Sequence, residues 1–90
     1  MNIRANTAAE LQLSRPQQKW SSGRGGNSAR LQVANFAGQE LMVVTDDNGG
    51  FDLHYLGFTE GPYPSMERAK AEAANFALVV LDVMKSKIAT

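Results

Sequence analysis

The sequence predicts an α+β domain: a three-stranded antiparallel meander followed by one long C-terminal helix packed on the sheet (βββα), with an N-terminal arm. Three observations carry this. Three segments, "ARLQVANF", "GQELMVVTDD" and "FDLHYLGF", read as strands by period-2 placement of their side chains and by β-branched and aromatic content. The turn-forming run "DDNGG" separates the last two. From Met66 to Met84 apolar residues recur every three or four positions, the period of a helix face. Residues 1–28 read as a basic arm and Gly/Ser loop, and residues 29–90 as the βββα domain.

Ninety residues suffice for one domain. A chain of this size buries about 60–70% of its unfolded surface, so the core is small. Ordinary apolar content and zero formal net charge argue against disorder over the whole chain. With no cysteine, disulfides, thiolate metal sites and cysteine nucleophiles are excluded together. No apolar run approaches the roughly 18–20 residues of a membrane span. "MNIRANTAAELQLSR" lacks the apolar centre of a secretory signal, so the expected address is the cytoplasm, with no membrane partner.

Along the arm, "AELQLS" sets Leu11 and Leu13 on one side, as a brief strand or one helical turn, and Pro16 ends it. "SSGRGGNS" reads as a flexible loop. Trp20 lies between them, either anchoring the arm to the core or presented to a partner. In the strands, Leu31 and Val33 share a face, as do Leu41 and Val43, with Met42 and Val44 opposite. Phe51, Leu53 and Tyr55 lie together, with Asp52 and His54 opposite. Asn48-Gly49 predicts a tight hairpin, because both residues accept positive φ, and "AGQ" at 37–39 predicts a second turn.

Pro62 and Pro64 in "EGPYPSMERAKAEA" stop whatever precedes them, since neither can donate a ladder hydrogen bond. Ser65 is the expected N-cap and Glu67 suits the first turn of the helix dipole. Ala69, Ala73, Phe76, Ala77, Val80 and Met84 form the docking stripe of a helix ending near Ser86 or Lys87. Leu78, Val79, Leu81 and Val83 cannot all face the same small sheet. Their cover is expected from Leu11, Leu13 and Trp20 of the arm, from a second copy paired through helix 76–84, or from a foreign partner.

No enzyme, cofactor or metal site is expected. His54 has Asp52 two residues earlier on the same strand face, the least that a general base would need, but that pairing is common by chance. Asp46, Asp47 and Asp52 lack the ligand run and closing glutamate of a calcium loop. "GRGG" lacks the lysine and strand-to-helix setting of a phosphate loop.

Charge is segregated along the chain. Residues 31–67 carry six acids and no Lys or Arg, while the arm is basic. A protein partner is expected to meet an acidic surface of Glu40, Asp46, Asp47, Asp52 and Glu60, with Trp20 and Tyr63 as aromatic anchors. The alternative is nucleic acid held by Arg15, Lys19, Arg24, Arg30 and Lys70. Three strands leading into "SMERAKAEAA" are similar to a double-stranded RNA-binding domain. Ser65, Ala69 and Lys70 match that family's helix start, whereas Met66 and Glu67 stand where it has lysines. "GFTEGPYPSMERAKAEA" is also similar to the strand-to-helix junction of HicB-type antitoxins. In size, lack of cysteine and lack of a catalytic residue set, the chain resembles small bacteriophage accessory and anti-defence proteins, including anti-CRISPR proteins. That resemblance implies a stoichiometric inhibitor of a nucleic-acid-handling host protein or complex.

Overall fold

The computed structural model describes residues 2–23 and 26–90. It is an α+β fold: α1 (Thr7–Ser14), β1 (Leu31–Phe36), β2 (Gln39–Thr45), β3 (Phe51–Tyr55), β4 (Phe58–Tyr63) and α2 (Met66–Ser86). The strands pair antiparallel in the order β1-β2-β3-β4, and α2 packs across β2, β3 and β4.

The sheet has four strands where the sequence predicts three. β4 was hidden because its first five residues, Phe58 to Pro62, are exposed and carry no alternating apolar signal. Its proline and glycine are tolerated at an edge, where a missing N–H breaks no inner ladder. The register with β3 slips between Phe51 and Leu53 to accommodate them. The chain enters β4 through Leu56-Gly57 (φ 51° and 85°), and Ala37-Gly38 (φ 52° and 79°) joins β1 to β2 in the same way. Two successive positive φ values match the right-handed twist of the flanking strands. Between β2 and β3 the expected Asn48-Gly49 pair works differently. Gly49 alone takes positive φ (81°), and the Asp46 carboxylate accepts the N–H groups of Asn48 at 2.8 Å and Gly50 at 2.7 Å.

"AELQLS" belongs to a two-turn helix, neither a strand nor a single turn. Asn6 caps it by accepting from the N–H of Ala9 at 2.9 Å, and alanine, glutamate and glutamine favour it. The spacing of Leu11 and Leu13 misleads, because both side chains are exposed.

Ala34, Phe36, Leu41, Val43, Leu53 and Tyr55 form the inner face of the sheet, and Ala69, Ala73, Phe76, Ala77 and Val80 of α2 bury it. Each large side chain so buried contributes about 1.5–3 kcal/mol. Ser65 caps α2 as expected, its hydroxyl accepting from the N–H of Arg68 at 3.1 Å. The Tyr55 hydroxyl reaches across β2 to donate to the Phe36 carbonyl at 2.6 Å, tying β3 to β1.

The arm runs along the free edge of β1. The Gln18 N–H donates to the Asn35 carbonyl at 2.7 Å, and Ser21 and Val33 exchange hydrogen bonds of 2.9 Å. Trp20 sits edge-on to Phe36, ring centroids 5.9 Å apart, with the Lys70 ammonium 5.7 Å from its own ring centroid. The Gln17 side chain accepts from the N–H of Gly38 at 2.9 Å. This arm does not cover the surplus apolar residues of α2: Leu78, Val79, Leu81 and Val83 remain exposed. No described helix is long and apolar enough to cross a membrane.

The Trp20 clamp sets a test by chemical denaturation. Trp20→Ala is expected to cost about 2 kcal/mol and Lys70→Ala about 0.5–1 kcal/mol. The double variant should cost less than the sum, since the Lys70 term requires the ring.

Candidate functional site: the uncovered face of the sheet

Alternation along a strand sends every second side chain away from α2. The register places Leu31 opposite Val44, Val33 opposite Met42, Met42 opposite His54 and Val44 opposite Asp52, so these side chains share the outer face. All are half-buried, and among the described residues no helix lies over them. The backbone at Gly23 borders this face, since a Cβ there would lie 3.6 Å from Leu31 and Val33. Gly23, Leu31, Val33, Glu40 and Met42 line a groove of about 330 Å³. Its floor is aliphatic and its rim carries a carboxylate.

The predicted acidic surface is only partly assembled. Glu40 and Asp52 belong to the outer face, at opposite ends of its apolar stretch: Glu40 lies opposite Asn35, and Asp52 opposite Val44. Four residues of β2 separate those levels, roughly 13 Å. Asp47 is exposed at the tip of the adjoining loop. The Asp46 carboxylate is occupied by two loop N–H groups and is a structural residue. Glu60 lies opposite Leu53 and so points to the helix side of the sheet, where it accepts a hydrogen bond from Tyr63.

The two aromatic anchors are engaged within the fold. Trp20 is the arm's clamp. Tyr63 is half-buried beside a second groove, of about 390 Å³, between the β2–β3 loop and Pro62-Pro64. Burial, then the hydrogen bond to Glu60 and the negative charges of Glu60 and Glu72, push its phenol up to about 12, against a smaller lowering by Arg68. Burial also raises the Tyr55 phenol.

The described basic residues of the nucleic-acid alternative come from the arm, the approach to β1 and α2. Arg15 follows α1, Lys19 is exposed in the arm, Arg30 precedes β1, and Lys70 lies on Trp20 and 3.6 Å from Glu67. Arg24 lies outside the described residues. His54 Nδ1 is 3.2 Å from the Thr59 hydroxyl, its side-chain hydrogen-bond partner. Among the described residues no three His, Asp or Glu side chains are grouped to hold a metal ion.

Sequence reasoning did not single out the outer face as a site. The signal was present in β2, where Met42 and Val44 are as apolar as Leu41 and Val43, so neither side of the strand reads as solvent-facing. Comparison with protein-family models, curated proteins and solved structures returns no match to this chain.

Two measurements follow from these side chains. Asp46→Ala should lower stability by about 1–2 kcal/mol through its orphaned loop N–H groups, whereas Asp47→Ala should stay within about 0.5 kcal/mol. Urea unfolding distinguishes them. In an ultraviolet pH titration Tyr63 should ionise near 12, and Glu60→Gln should move its midpoint back toward 10.0. Because folding raises this pKa, the associated stability is complete below pH 10 and is lost as pH rises through about 12.

Proposed function

We propose that this chain is a non-enzymatic binding protein whose outer sheet face takes up a protein partner. The observation that carries this reading is the uncovered apolar face itself: Leu31, Val33, Met42 and Val44, with Glu40 and Asp52 at its ends. A flat aliphatic surface flanked by carboxylates complements apolar side chains set among basic ones. Nucleic-acid-binding surfaces of proteins have that basic character. The favoured version is therefore a stoichiometric inhibitor of the phage anti-defence kind, acting on a nucleic-acid-handling host protein or complex. Burial supplies the affinity, and Glu40, Asp52 and Asp47 supply orientation and association rate.

Affinity capture from host lysate after nuclease treatment tests this. A partner retained by the unaltered chain should be lost with Met42→Asp and weakened at least about tenfold by Glu40→Lys. It should be kept by Arg15→Glu and Lys19→Glu. Recovery of nucleic acid that depends on Arg15 and Lys19, with affinity falling steeply as salt rises, would transfer the function to the arm.

A further inference from the structure

The stripe that docks α2 onto the sheet does not stop where the sheet does. Ala69, Ala73, Phe76, Ala77 and Val80 are buried, and from Leu81 onward every residue is exposed. Leu81, Met84 and Ile88 nevertheless continue from Ala77 at intervals of four, three and four, the spacing of one helix face. They are 38%, 43% and 71% exposed, and the Ile88 N–H still donates to the Lys85 carbonyl at 3.1 Å. The helical part of this overhang, Leu81 to Ser86, projects roughly 9 Å. It carries Lys85, four residues from Leu81, and Lys87, three residues from Met84. Asp82 lies about 160° around the helix from Met84, on the far side.

Position decides what this overhang can reach. Only Pro64 and Ser65 separate β4 from α2, so the helix folds back over the sheet. It therefore emerges at the end that carries the Ala37-Gly38 and Leu56-Gly57 turns. Glu40 and Met42, at the groove on the outer face, lie next to that same end. We infer that the overhang of α2 docks on the outer face of a second copy. The two chains meet end to end on the side that carries Leu56-Gly57, since α1 lies against Ala37-Gly38, about a two-fold axis in the plane of the sheets. Each α2 then covers the inner face of its own sheet and the near part of its partner's outer face. Met84 and Ile88 reach toward Met42, with Lys85 and Lys87 toward Glu40. The arrangement is closed, since both copies give a helix end and receive one. Zero net charge imposes no long-range repulsion between copies.

This inference rests on the outer face being the binding face, and it adds the occupant that face holds in the absence of a foreign partner. A foreign partner and the second copy would then compete.

The test is the solution mass of the full chain by sedimentation and light scattering, from about 1 μM to about 100 μM. The expected species has twice the 9.8 kDa chain mass. Met84→Asp and Met42→Asp should each yield monomers with unchanged circular dichroism. Glu40→Lys and the pair Lys85→Glu with Lys87→Glu should each weaken the dimer at least about tenfold. Combining all three reversals in one chain should restore it, which a merely misfolded variant would not do. A monomer throughout the range overturns the inference. So does a dimer broken by Met84→Asp but untouched by Met42→Asp, which would mean that two helix ends pair with each other. Met84→Asp leaves the outer face intact. Failure of that variant to capture any partner therefore counts against the binding reading, while the mass measurement counts only for or against the dimer.

Discussion

Ala69, Ala73 and Ala77 let α2 approach the sheet closely enough that Leu41, Val43, Leu53 and Tyr55 lose essentially all contact with water. The small stripe on the helix and the large residues on the sheet are complementary, and Phe76 and Val80 fill the space further along. Most other features depend on this contact. It fixes which face of the meander is inner, and with period-2 alternation it determines that Leu31, Val33, Met42 and Val44 face outward. It also places Lys70 beside Trp20, so the arm is held through the same helix. Loss of this packing would leave a marginal sheet with two apolar sides.

What the sequence revealed and concealed divides along physical lines. β1 and β3 are legible because one side of each is buried and burial imposes alternation, and β2 because its apolar, β-branched run lies between two turn signals. α2 was legible from its cap at Ser65 and its stripe. β4 was not, because an exposed edge strand places little demand on residue type, and its proline and glycine argue against a strand anywhere but at an edge. α1 is ambiguous in sequence, because two leucines two apart fit a brief strand or a helical turn when neither is buried. The pairing of the arm with β1 was invisible for another reason: hydrogen bonds between backbones need no particular side chain at Gln18 or Ser21. The acids of the predicted surface lie on neighbouring strands and turns, a placement that leaves open which face each one takes. Register then sent Glu60 to the opposite side from Glu40 and Asp52, and the loop engaged Asp46.

The surface that results is economical in its polar groups. Carboxylates lie at the ends of the aliphatic outer face and not within its centre. A charge in the middle would be desolvated on binding at a cost that pairing does not reliably recover, whereas a charge at the rim keeps much of its hydration and still orients an approaching cation. The nearby tyrosines do not complicate this, since Tyr55 and Tyr63 both stay neutral at ordinary pH.

The two borders of the sheet are protected by different means. Residues 18–21 lie along β1, and at the other border Pro62 and the slipped register interrupt β4. Open sheet edges are where chains add to one another without limit, growing into ribbons and fibrils. With one border occupied and the other uneven, lateral growth of this kind is suppressed. Yet the molecule still exposes apolar area above the sheet and beyond the end of α2. Stickiness is thereby directed out of the hydrogen-bonding plane. An assembly formed through those surfaces would leave every backbone ladder of the sheet undisturbed.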